Sequence, residues 1–151
     1  QRGVKNFFVE IGGEVKARGF SPRGKPWNIA IEVPDRNERK IFSTVPLDNL
    51  AMATSGDYRN FFESDGAFFP HIINPDNGYP IDSGVGSVTV LHRSAALADA
   101  LATGLNAIGL ENLSQISNEK NLKVMAIIRR SGKYEVFSSE KFQEYVTSFS
   151  E

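Results

Sequence analysis

The first ninety residues are punctuated by short runs in which apolar positions cluster or alternate with polar ones. Phe7-Phe8-Val9-Glu10-Ile11 is aromatic and β-branched, the composition of a strand. Gly12-Gly13 follows, and residues 14–18 read as the returning strand of a hairpin, because paired glycines permit positive φ and close backbone approach. Residues 27–33 alternate at period two, which predicts a half-buried strand. Pro34 to Arg39 form a charged turn, and residues 40–45 and 51–54 are further strand candidates. Residues 58–63 and 67–73 flank Ser64-Asp65-Gly66, a hairpin turn with glycine at the left-handed position. Residues 85–91 alternate again.

The period then lengthens. Ser94 is a good N-cap, residues 95–108 are rich in Ala and Leu, and Gly109 is a stop signal. Leu97, Leu101, Leu105 and Ile108 fall on one helical face, the expected buried stripe. A short second helix is expected over residues 111–117, and a hairpin over 122–129 and 134–137 around Ser131-Gly132-Lys133. Ser139 can cap a last helix reaching about Phe149, with Phe142, Tyr145, Val146 and Phe149 on its apolar side. There is no internal repeat, low-complexity tract or linker. The pattern predicts one α+β domain over residues 1–151, a mostly antiparallel sheet packed with two or three helices.

Composition changes this picture in a few places. With 151 residues, 40% hydrophobic and 23% charged, the chain suits one packed domain rather than wholesale disorder. Seventeen Lys and Arg against eighteen Asp and Glu argue against a general nucleic-acid binder, which would carry a basic excess. No apolar run approaches the ~20 residues of a membrane helix. Cysteine is absent, which removes disulfides, zinc–thiolate and iron–sulfur ligation, and a cysteine nucleophile from this chain. The charge is uneven. Residues 1–50 carry nine basic and six acidic side chains, residues 51–100 carry two and six, and residues 101–151 six of each. The acidic middle third, which also holds His71 and His92, reads either as a solvated face or as a place where a metal cation supplies the missing charge.

Three segments offer chemistry. Asp99 and Thr103 stand at i and i+4 on the helix after Ser94, so a carboxylate and a hydroxyl project from one face, hard oxygen donors suited to Mg²⁺. The plainer alternative is a carboxylate favoured near a helix start and a threonine bonded to a backbone carbonyl. His71 lies at a strand end before a loop pinned by Pro75, Gly78 and Pro80, where a rigidly held imidazole can take a proton from a hydroxyl nucleophile, or be merely structural. Ser55-Gly56-Asp57 places a hydroxyl and a carboxylate around a glycine, for a polar ligand or an ordinary turn. No nucleophile elbow, phosphate loop or dinucleotide fingerprint is present.

In this order, GGE (Gly12 to Glu14), GKPWNIAIEVP (Gly24 to Pro34), ATSGDYRNFF (Ala53 to Phe62), HIINPDNGYP (His71 to Pro80) and SVTVLHRSAALADALATGL (Ser87 to Leu105) resemble the C-terminal half of the ApbE-type FAD:protein FMN transferases. The resemblance implies the C-terminal lobe of an ApbE-like fold, belonging to a longer protein. It implies Mg²⁺-dependent transfer of FMN from FAD to a threonine hydroxyl of a target flavoprotein subunit, in phosphoester linkage, with release of AMP. FAD hydrolysis to FMN and AMP, or a non-catalytic flavin-binding lobe, are the alternatives. Residue by residue, it makes Asp99 and Thr103 the metal ligands and His71 the general base. Ile73 or its neighbour Ile72 becomes a backbone contact to FAD, and Ser55 and Asp57 part of the same cleft. Asn74 stands where the family often has Asp. The family is about twice as long and draws further FAD and metal contacts from its other half, so the isolated chain is expected to transfer weakly or not at all. A periplasmic or cell-envelope location is implied, through an upstream lipid anchor in the full-length form, with the cytoplasm as the alternative.

Overall fold

The computed structural model of the chain describes residues 3–35, 38–56, 61–64, 67–70, 72–73, 77–81, 83–130 and 132–146. Its frame is a six-stranded antiparallel sheet. The strands are β1 (Phe7–Ile11), β2 (Glu14–Arg18), β5 (Leu50–Gly56), β8 (Val85–His92), β9 (Lys123–Arg130) and β10 (Lys133–Ser138), adjacent in that order. Two further hairpins stand apart from it, β3 (Trp27–Glu32) with β4 (Ile41–Leu47), and β6 (Phe61–Ser64) with β7 (Ala67–Pro70). The helices are α1 (Ala95–Ala107), α2 (Gly109–Glu119) and the single turn α3 (Glu140–Gln143). This is the expected α+β arrangement.

The centre of the sheet is buried on both sides, and the period of two in its central strands divides the core. Val88 and Val90 of β8, with Val124, Ala126 and Ile128 of β9, face Ala98, Ala102 and Leu105 of α1 and Leu113 of α2. Leu91, Met125 and Ile127 point the other way, onto Ile31, Val45 and Leu47 of the β3–β4 hairpin and Phe142 of α3. Three layers result, with two helices on one face and a hairpin plus a helical turn on the other. Phe8 of β1 stacks on Trp27 of β3 at 5.5 Å, tying the sheet edge to the hairpin layer. Lys16, at the middle of β2, ties that strand to its surroundings. Its Nζ donates to the carbonyls of Asn49 and Arg93, and partial burial beside Arg93 holds its pKa below the ordinary lysine value.

Three expectations need correction. The buried face of α1 is Ala98, Ala102, Leu105 and Asn106, whereas Leu97 is 52% exposed and Ile108 39% exposed. Alanines prevail because α1 lies directly on β5 and β8, where a larger side chain would lift the helix. Gly109 ends α1 as expected, but at φ 78° it also redirects the chain straight into α2, which starts there and runs two residues earlier and later than predicted. Ser139 heads α3 without capping it. Its Oγ donates to the Leu122 carbonyl and accepts from the Val124 amide, at 2.7 and 3.0 Å. The helix is one turn long, although Phe142 is fully buried and Tyr145 and Val146 pack on the same core as predicted. Phe149 lies outside the described residues. Among the described residues, no helix is long and apolar enough to cross a membrane.

Candidate functional site

The site follows from a mismatch in strand length. β2 pairs with Leu50 to Met52 of β5 and then turns away at Gly12-Gly13, while β5 continues to Gly56 against β8. Beyond Met52 the sheet is thus open on one side of β5. Both turn glycines sit at positive φ, 67° and 107°, so the hairpin stays tight and presents backbone rather than side chain to that opening. The opening is a cavity of about 410 Å³. Gly12, Gly13 and Glu14 line it from the turn, Thr54, Ser55 and Gly56 from the end of β5, and Asp99 and Thr103 from α1. Phe8, Val15, Ile29 and Met52 provide its apolar wall, and half-buried Glu32, paired at 3.4 Å with exposed Arg39, also lines it.

Helix α1 delivers its two oxygens by capping and by periodicity. The side chain of Ser94 accepts from the Leu97 amide, fixing where the first turn begins. With Ala98 and Ala102 seated on the sheet, the following residues, Asp99 and Thr103, fall one turn apart on an exposed flank that opens into the cavity. A carboxylate and a hydroxyl in a cavity with space for several waters match what Mg²⁺ requires of a protein. No group of three or more His, Cys, Asp or Glu gathers among the described residues, so any cation here would depend on oxygens of other kinds.

Of the residues singled out from the sequence, Ser55, Asp99 and Thr103 line this one cavity. Ile72 and Ile73 do not line it. They lie in a clasp in which the Ile81 amide donates to the Ile72 carbonyl at 2.9 Å and Ile73 pairs with Pro80. His71, Asp57 and Asn74 lie outside the described residues. Two polar residues were not anticipated. Thr54, a cavity residue, shares a 2.9 Å hydrogen bond with Thr89 across the β5–β8 pair. Asn106 is 4% exposed; its Nδ2 donates to the Ser55 carbonyl at 3.4 Å and its Oδ1 accepts from Ser83 Oγ at 3.5 Å. A signal for Asn106 does exist in the sequence, since it stands at i+4 from Ala102 and i+8 from Ala98, on the face those alanines bury.

The profile of the ApbE family matches residues 1–128. The chain is 40% identical over 146 residues to a protein of Vibrio cholerae named FAD:protein FMN transferase, covering 97% of this chain and 44% of that one. It is 33% identical to the Escherichia coli K12 protein of the same name, covering 98% and 42%. Among solved structures, the flavin transferase ApbE from Vibrio cholerae superposes with a TM-score of 0.84 at 38% identity, over 95% of this chain and 45% of that one. The apo form of the Pseudomonas stutzeri flavinyl transferase ApbE gives 0.80 at 37%, over 97% and 45%. The chain spans less than half the length of these relatives. With the profile covering most of its residues and both fold and sequence in agreement, the chain belongs to the ApbE family.

Proposed function

We propose that this chain is part of a flavin transferase that moves FMN from FAD onto a threonine hydroxyl of an acceptor flavoprotein. Family membership and the activity named for the relatives support this reading. The observation that carries it is the single cavity into which Asp99, Thr103 and Ser55, from a helix and a strand, all open. In the reaction, the threonine Oγ forms a bond to the phosphorus on the FMN side of FAD. The bond from that phosphorus to the bridging oxygen breaks, and AMP leaves with that oxygen. The threonine proton passes to His71, in the role given by the family resemblance.

The protein's task in such a transfer is to position two partners and balance charge. Asp99 and Thr103 would hold Mg²⁺, which neutralises diphosphate charge when bound. Thr54 and Ser55 line the cavity from the open end of β5, and Gly12-Gly13 brings backbone to it beside the Glu14 carboxylate. Ile72 and Ile73, in their clasp, are assigned to backbone contact with FAD, and Asp57 to the same cleft. The intact transferase is assigned to the periplasm or cell envelope, with the cytoplasm as the alternative, a placement that fractionation of the intact protein tests. Because the chain spans under half of its relatives, transfer is expected of the intact protein and little of this chain alone.

The test is Mg²⁺- and FAD-dependent stabilisation together with product analysis. Mg²⁺ at a hundredfold excess over its dissociation constant should stabilise the wild type by about 2.7 kcal/mol and leave Asp99→Ala unaffected. With the intact protein, FMN should appear covalently on the acceptor and AMP in solution. Free FMN irrespective of acceptor would make the protein an FAD hydrolase, and FAD binding without product a non-catalytic flavin lobe.

A further inference from the structure

Asn106 is a polar side chain whose presence the packing of α1 does not require. It shares the buried face with Ala98, Ala102 and Leu105, and is the polar member of that set. Its amide instead reaches in two directions, donating to the Ser55 carbonyl and accepting from Ser83 Oγ. Ser83 Oγ in turn accepts from the Val85 amide at 3.2 Å, fixing the start of β8. Three pieces meet at this one side chain. The first is α1, whose Thr103 lies one turn before Asn106. The second is the end of β5 that carries Ser55 into the cavity. The third is the segment leading from the Ile72–Ile81 clasp into β8.

We propose that Asn106 is a positioning residue for the transfer reaction, setting the distance between the Asp99/Thr103 flank of α1, the end of β5 that carries Ser55, and the segment that leads from the Ile72–Ile81 clasp into β8. This rests on the transferase reading above. Both contacts lie at the long end of the hydrogen-bond range, so they add little to stability. Their consequence is geometric. The amide spans the gap between elements that otherwise meet through apolar side chains, among them Ala53, Val88, Ala98, Ala102 and Leu105, which have no directional bond to fix their separation. A misplacement of about 1 Å between reacting groups costs on the order of a hundredfold in rate.

The experiment uses the intact transferase with FAD, Mg²⁺ and its acceptor protein, comparing wild type, Asn106→Leu, Asn106→Asp and Ser83→Ala. Asn106→Leu should lower kcat by about tenfold or more, with KM for FAD within about twofold, because alignment rather than ground-state binding is lost. Ser83→Ala should show a smaller loss of the same kind, and Asn106→Asp, which keeps the acceptor for Ser83, should recover part of kcat. A purely structural Asn106 would lower the unfolding midpoint and leave kcat per folded molecule unchanged, and that result overturns the inference. If Asn106→Leu does not fold, an unchanged kcat in Ser83→Ala overturns it. Absence of transfer by the wild type overturns the transferase reading and this inference together, whereas wild-type transfer with unaltered variants overturns only the inference.

Discussion

Ala102→Leu tests the seating of α1, on which the whole site depends. Ala102 is 0% exposed and sits one residue before Thr103, under a helix laid on β5 and β8. The substitution adds three carbons. Were there room, their burial would stabilise the fold by about 2 kcal/mol, at roughly 0.8 kcal/mol per methylene. With the position closed on every side, the leucine must instead push the helix outward, and overpacking of this kind costs about 1–3 kcal/mol. The two outcomes differ in sign. Urea unfolding reads the difference: at an m-value of about 2 kcal/mol/M, the midpoint should fall by roughly 0.5–1.5 M with m unchanged. Leu97→Ala, on the exposed side of the same helix, should stay within about 0.5 kcal/mol of wild type. The displaced helix also carries Asp99 and Thr103 away from Ser55, so the intact protein with Ala102→Leu should lose FMN transfer. A midpoint equal to or above wild type would refute the close-packed seat, and with it the account of how the cavity is held together.

Other expectations follow from local geometry. Gly104 is exposed in mid-helix with open space where a Cβ would stand, so Gly104→Ala should raise stability by about 1 kcal/mol in the same titration. Gly86 is the reverse case: a Cβ there would lie 2.9 Å from Pro34 Cγ and 3.2 Å from the Ile127 carbonyl, and Gly86→Ala should cost about 1–3 kcal/mol. Ser139→Ala strips the Leu122 carbonyl and Val124 amide of a buried partner and should lower stability by about 1–3 kcal/mol, read by thermal or urea unfolding. The Mg²⁺-dependent stabilisation described above should vanish in Asp99→Ala while the unfolding midpoint without metal stays close to wild type, since Asp99 is exposed.

The residues of this chain determine by themselves most of its elements and their type. Alternation at period two in residues 27–33 and 85–91, the Gly12-Gly13 turn, and the Ser94 cap before an alanine-rich run are local signals, and local signals survive folding because neighbours along the chain impose them. The ordered motifs around Ser55, His71 and Asp99 likewise point to the family before any fold is known, and the i, i+4 spacing of Asp99 and Thr103 requires nothing but helix geometry. Tertiary structure decided the rest. Which face of α1 is buried could not be read from leucines, because the close approach of a helix to a sheet selects alanine and leaves Leu97 half in solvent. Ser139 reads as a helix cap in one dimension, yet its hydroxyl serves the start of β9, bonding the Leu122 carbonyl and the Val124 amide seventeen and fifteen residues away. The cavity itself arises from β2 ending short of β5, a relation between strands 35 residues apart that no window of sequence contains. Asn106 shows the same limit most sharply. Its place within the helix was legible, but the face it occupies was not, and its partners Ser55 and Ser83 are 51 and 23 residues away, so long-range packing alone brought them within reach.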